Sequence, residues 1–236
     1  MAIVLPASHA AVTALLLAGG RGLRMDGADK GLQAFNGTPL ARHALRRLAR
    51  QTLPPAEVFI SANRHLHDYR AFGVPVLSDN LPDFAGPLAG FLTGLTHCRT
   101  PLLLILPCDA PLFPLSLCER LAQTLQAAQA DIAVASAPDE EGRARPQPVF
   151  CLLRADARAG LKDSLAAFLA EGGRKAGAWM ARHRTVAVPF DQPGDDPRAF
   201  ANANTLDELR ALEKCSPSVS CLACNNAEGV LPLPFG

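Results

Sequence analysis

The sequence predicts an α/β fold: a mostly parallel sheet covered by helices on both faces, within a single domain. Three observations carry this. Two short runs, residues 12–17 and 102–106, are almost wholly apolar, as expected of strands buried on both faces. Segments of strand character alternate with segments of helical character, the pattern of a parallel sheet with crossover helices. The length, 236 residues, suits one large domain with a core that needs no staple.

The elements follow in chain order. The first strand, Val12–Leu17, runs into a loop rich in glycine, with Gly19, Gly20, Gly22, Gly27 and Gly31. A helix is expected from Thr38 as cap with Pro39 in its first turn. Leu40, Ala44 and Leu48 share one face of it, and Arg42, Arg46 and Arg50 another. Glu57–Ser61 is a short β-branched and aromatic run, and 75–77 a second short strand. Pro87–His97 has helical character. The strand at 102–106 ends in Pro107-Cys108-Asp109-Ala110-Pro111, and a helix follows over about 115–128. Further strands are expected at 131–136, 147–152 and 185–188, with helices at 156–171 and 174–183. The last helix starts at Thr205, which forms a capping box with Glu208. Residues 1–11 read as an extension and 215–236 as a poorly ordered tail, which leaves 12–214 as the domain.

Composition narrows the function. Hydrophobic residues make up 49% and charged residues 19%, which excludes a disordered or fibrous chain. A net charge of +1 gives no reason to expect nucleic acid. The charge is uneven, however: residues 1–50 hold seven Lys/Arg against two Asp, and the rest of the chain sixteen against twenty Asp/Glu. An anionic ligand would be drawn to the N-terminal fifth. No apolar run approaches the ~20 residues of a membrane span, and the first residues lack the form of a secretory signal. Seven cysteines is an odd number, and four of them, Cys98, Cys108, Cys118 and Cys151, are scattered through the body, which suits a reduced cytoplasm.

Two loops could carry chemistry. The Gly-rich loop is not a Walker A loop, because no G-x-x-x-x-G-K-[ST] occurs, and it is a poor dinucleotide fingerprint because Met25 follows Gly20-x-Gly22 where glycine is needed. It offers small residues whose backbone N–H groups can line an anion, with Arg21, Arg24 and Lys30 to neutralise a polyphosphate. Asp109, just past a buried strand, is placed to hold Mg²⁺ against phosphates. Ligands in such sheets bind beyond the carboxyl ends of the strands, and both loops lie at that edge. Three further polar residues have plain alternatives: Asn63 can close a turn, Asp79 can cap one with Asn80, and Asn204 can cap the final helix.

The motifs resemble one family. Leu17-Ala18-Gly19-Gly20, Arg24-Met25 and Asp29-Lys30-Gly31 are similar to the L-A-G-G-x-x-x-R-M-G-x-D-K signature of molybdenum cofactor guanylyltransferases. Asn36-Gly37-x-Pro39-Leu40, Ala62-Asn63-Arg64-His65, Asp79 with Gly86-Pro87-Leu88-Ala89-Gly90, Pro107-Cys108-Asp109-x-Pro111 and Asn202-x-Asn204-Thr205-x-x-Glu208-Leu209 continue it in order over about 12–214. The resemblance implies a Rossmann-like nucleotidyltransferase fold. It also implies transfer of GMP from GTP to the phosphate of the molybdopterin cofactor, with release of pyrophosphate. By the same resemblance Lys30 and Arg24 contact the triphosphate, and Asp109 holds Mg²⁺. Leu17, Ala18, Gly19 and Gly20 offer backbone groups to the nucleotide. Asn63 and Asp79 lie toward guanine and ribose, and Asn202 and Asn204 toward the pterin or the metal. Cofactor-insertion proteins, apo-molybdoenzymes and a separate P-loop GTP-binding helper are the partners it implies.

There are departures. Asp26 replaces the glycine after Arg-Met, and Gln147-Pro148-Val149 replaces His-Pro-Thr. Cys221-x-x-Cys224, with Cys215 upstream, lacks the fourth ligand of a zinc site. His65 and His67 read as loop residues. The rival functions are a cytidylyltransferase or sugar-phosphate nucleotidyltransferase on the same fold, and a nucleotide-binding protein without chemistry.

Overall fold

The computed structural model describes residues 11–18, 29–78, 86–139, 141–203 and 205–214. Residues 1–10, the tail with its C-x-x-C, the loop residues 19–28 and 79–85, and residues 140 and 204 lie outside them.

Strand β1 (Val12–Leu17) is central because both of its faces are apolar. It pairs in parallel with β4 (Glu57–Ser61) on one side and β6 (Leu102–Pro107) on the other, and β4 pairs in parallel with β5 (Val76–Leu77). The second half of the sheet is built from β7 (Ile132–Pro138), β8 (Ala144–Arg154) and β9 (Thr185–Pro189). The seven strands stand in the order β5-β4-β1-β6-β8-β7-β9. Only β8 breaks the parallel run. A tight turn, with Gly142 N–H donating to the Asp139 carbonyl at 2.9 Å, folds β8 back on β7, and two strands joined by so short a turn must run antiparallel. That hairpin also starts β8 at Ala144, three residues before the expected strand.

Side chains alternate across the sheet. Ala14 and Leu16 belong to one core with α1 (Leu40–Ala49) and α4 (Leu117–Ala127). Leu15 belongs to the other, with α3 (Pro87–His97), α5 (Leu161–Ala170) and α6 (Ala176–Met180). The expected apolar face of α1 is the buried one: Leu40, Ala44 and Leu48. A third, smaller cluster joins Phe35 and Leu40 to Leu209 and Leu212 of α7 (Leu206–Lys214). Its N-terminal cap forms as expected, with the Glu208 N–H donating to Thr205 Oγ1 at 3.1 Å.

The start of α1 differs from expectation. Thr38 and Pro39 form a short strand, β3, paired with β2 (Ala34–Phe35). Asn36 and Gly37 between them have φ of 47° and 73°, the two positive values that a tight two-residue hairpin needs. Thr38 is therefore used by the hairpin, and Pro39 takes the cap position without a side-chain bond.

Helix α3 lies close on the sheet because it carries glycines on its inner face. A Cβ on Gly94 would stand 2.8 Å from Leu15 Cδ2 and 3.0 Å from Leu103 Cδ2. Both leucines are fully buried and have little room to move. Gly94→Ala is expected to lower stability by about 1 kcal/mol in urea unfolding. Overpacking costs about 1–3 kcal/mol, against at most about 1 kcal/mol gained from better helix propensity.

Candidate active site

The site is built where β1 and β6 end side by side. Leu17 lies opposite Pro107 and Ser61 in the sheet register. Beyond it, the Ala18 N–H donates to the Ser61 carbonyl at 2.9 Å, and the Cys108 N–H donates to the Leu17 carbonyl at 3.0 Å. The ladder bonds thus carry on past the strands and fix the first residues of both chemical loops. On the far side, the Ala62 N–H donates to the Leu77 carbonyl at 3.0 Å, which holds the turn where exposed Asn63 begins the segment toward α2 (Leu66–Arg70).

Two of the expected site residues meet. Lys30 Nζ donates to Asp109 Oδ2 at 3.1 Å, with the two side chains 27% and 16% exposed. They come from points 79 residues apart, so the pairing of β1 with β6 is needed to bring them together. A pair this shielded from water interacts more strongly than an open surface pair. It is still open enough for a ligand to reach.

Each partner is held by its own surroundings. Lys30 begins a short 3₁₀ turn, Lys30–Leu32, capped by Asp29: Oδ1 of Asp29 accepts from the Gly31 N–H at 3.0 Å. The same oxygen accepts from the hydroxyl of Tyr69 on α2. Burial pushes the Tyr69 phenol up from its ordinary pKa, so it stays a donor. Asp109 is held through its backbone, whose carbonyl accepts from the Ala203 N–H at 2.7 Å. That bond draws the segment with exposed Asn202 up to the strand end.

The loop after Asp109 is clamped to α1. His43 Nε2 donates to the Pro111 carbonyl at 3.1 Å, Arg47 Nη2 to Leu112 at 3.2 Å and Gln51 Nε2 to Pro114 at 2.9 Å. Burial lowers the His43 pKa below its ordinary value, which keeps the ring neutral, with its proton on the nitrogen that faces the carbonyl. Burial also pushes the Cys108 thiol up, and the charge of Asp109 adds to this. Cys108 is therefore core and not a nucleophile.

Leu17, Ala18, Lys30 and Asp109 stand at one corner, with Asn202 reached through the bond to Ala203. Asn63 stands at the end of β4. Gly19, Gly20, Arg24, Asp79 and Asn204 lie outside the described residues, as does Asp26. Gln147, Pro148 and Val149 are half-buried, on the part of β8 that runs past its register with β6. Among the described residues, no three His, Cys, Asp or Glu side chains gather as a metal cage.

Sequence reasoning gave no role to Tyr69 or to the Asp29 carboxylate. One signal was available: Tyr69 is the chain's single tyrosine, set in a polar helix. A buried tyrosine nearly always finds a partner for its hydroxyl.

Known proteins resemble this chain in sequence and in fold. Residues 14–188 match the family model for a MobA-like NTP transferase domain. A molybdenum cofactor guanylyltransferase from Albidiferax ferrireducens is 56% identical over 206 residues, covering 86% of this chain and 95% of that protein. Among solved structures, the molybdopterin-guanine dinucleotide biosynthesis protein A from Archaeoglobus fulgidus superposes with a TM-score of 0.66 at 19% identity, over 86% of this chain and 97% of that one. The 2-C-methyl-D-erythritol 4-phosphate cytidylyltransferase from Thermus thermophilus gives a TM-score of 0.62 at 15% identity, over 85% and 96%. The structural likenesses establish the nucleotidyltransferase-type fold, and the sequence identity establishes the kinship: the chain is an enzyme of the molybdenum cofactor guanylyltransferase family.

Proposed function

We propose that this protein transfers GMP from GTP to the terminal phosphate of the molybdopterin cofactor. A phosphate oxygen of molybdopterin forms the new bond to the α-phosphorus. The bridging oxygen between the α- and β-phosphates leaves with pyrophosphate, and the product is molybdopterin guanine dinucleotide. The observation that carries the reading is the Lys30–Asp109 pair, 3.1 Å apart at the carboxyl ends of β1 and β6, in a chain of this family.

Such a transfer needs little proton movement. It needs two anions brought in line and their charge offset. Lys30, released from Asp109 by the incoming nucleotide, neutralises the triphosphate, joined by Arg24. Backbone groups at Leu17, Ala18, Gly19 and Gly20 line the nucleotide. Asn63 and Asp79 face its guanosine side, and Asn202 and Asn204 the pterin side. A single protein carboxylate is enough for Mg²⁺, which takes one or two of them and otherwise keeps water and substrate phosphates as ligands. Asp109 is the residue that would hold it, and the ion would supply charge neutralisation at the phosphates. Among the described residues no helix is long and apolar enough to cross a membrane. We place the reaction in the cytoplasm, with cofactor-insertion proteins, apo-molybdoenzymes and a P-loop GTP-binding helper as partners.

The test is a competition. The protein is given Mg²⁺, molybdopterin and equal GTP, CTP, ATP and UTP, and the dinucleotide product is identified by mass. The expected product contains guanine. A cytosine product would move the nucleotide specificity, and no product with GTP still bound would leave a binding protein.

A further inference from the structure

We infer that Tyr69 is a positioning residue for Lys30, acting through the carboxylate of Asp29; the inference rests on the reading of Lys30 as the cation at the triphosphate. Three observations carry it. Tyr69 is fully buried, and its hydroxyl donates to Asp29 Oδ1, the oxygen that also accepts from the Gly31 N–H at 3.0 Å. A single oxygen thus ties the residues on both sides of Lys30 to one buried phenol. A Cβ on Gly31 would stand 2.3 Å from the Tyr69 hydroxyl oxygen, so the hydroxyl occupies the space where any other residue at 31 would put its side chain. Tyr69 is itself fixed, by its N–H to the His65 carbonyl at 3.1 Å and by edge-on packing against Phe72 with centroids 6.0 Å apart.

The physical consequence is directional. A lysine side chain is long and flexible, and its aim depends on where its Cα is held. The Lys30–Leu32 turn is too short to hold its own shape, because three residues close too few backbone bonds. Asp29 caps the turn, and Tyr69 fixes the cap. Helix α2, which contributes no group to the reaction, thereby sets the distance from Lys30 to the end of β6. Misplacing a charged group by about 1 Å at a phosphate can cost up to ~10²-fold in rate.

Tyr69→Phe removes one oxygen and keeps the ring. The full chain is assayed with Mg²⁺, GTP and molybdopterin, in the wild-type and Lys30→Met backgrounds. In the first, kcat is expected to fall about tenfold with the KM for GTP within about twofold, in line with losing one hydrogen bond to a charged group. In the second, the same change is expected to cost nothing further, because residues that act through one another are not additive. Asp29→Asn keeps an oxygen for both donors and is expected to recover most of what Asp29→Ala loses.

Wild-type turnover in Tyr69→Phe, or an equal cost in both backgrounds, would overturn the inference. So would an Asp29→Asn variant as damaged as Asp29→Ala, since the charge would then matter and not the bond. The Asp29 variants decide the question even if Tyr69→Phe folds poorly. Full activity of Lys30→Met would overturn the site reading as well. An impaired Lys30→Met beside an intact Tyr69→Phe would overturn this inference alone.

Discussion

Asp109→Asn is expected to lower turnover about 10²–10³-fold while GTP affinity, measured without metal, stays within a few-fold of wild type. The magnitude is that of removing one preorganised electrostatic group from a transition state. The separation of the two effects follows from the site. Asparagine keeps the volume of the side chain and an oxygen, and the backbone bond from Ala203 to residue 109 does not involve the side chain. The fold therefore has no reason to move. What disappears is the charge proposed to hold the divalent ion, the same charge that pairs with Lys30 at 3.1 Å. Freed of that carboxylate, Lys30 remains available to the triphosphate. Single-turnover kinetics beside a GTP titration makes the comparison. Unchanged turnover would remove Asp109 from the chemistry, and loss of both together would make it a binding residue.

Lys30→Met should behave differently, and the contrast is the stronger test. Here kcat/KM is expected to fall about 10²–10³-fold, and GTP affinity is expected to fall with it. Methionine keeps most of the apolar stem but removes the ammonium that pairs with the Asp109 carboxylate at 3.1 Å, so on the proposed reading that charge is no longer offset by Lys30 when the triphosphate binds. The variant thus adds a repulsion as well as removing an attraction. Lys30→Arg should recover little. A guanidinium is longer and planar, with its donors fixed in a fork, and the lysine head stands 3.1 Å from Asp109 in a site where its side chain is only 27% exposed. If both variants bound GTP as tightly as wild type, Lys30 would not be at the triphosphate.

Much of this was legible in the sequence, for reasons that differ by element. The apolar runs at β1 and β6 could hardly be anything but buried strands, and Pro87–His97 was bounded by a proline at its start. The partnership of Lys30 with Asp109 was foreseen only as a shared sheet edge. The ion pair depends on the register of two strands far apart in sequence, which no local pattern encodes. Thr38 was misread as a helix cap because its chemistry suits a cap. The hairpin took it instead, since Asn36-Gly37 is an even stronger turn signal. The direction of β8 was illegible for a similar reason: a strand's composition says whether it is buried, but the length of the turn before it says which way it runs. Tyr69 escaped because its partner lies 40 residues away and its own helix is polar.

The antiparallel insertion of β8 also has a kinetic side. In the finished sheet β6 is covered on one edge by β1 and on the other by β8, with Leu102 opposite Arg154. Synthesis proceeds from the N-terminus, so β6 emerges about fifty residues before the strand that closes its outer edge. Until residue 154 is free to fold back, Leu-Leu-Leu-Ile-Leu presents open backbone groups on an apolar, β-prone segment. Such a segment is a template for pairing with another chain. Truncations that end between β6 and β8 should therefore aggregate, whereas chains carried past Arg154 should not. The strand that gives the site its Asp109 is also where an incomplete chain is most exposed to misassembly.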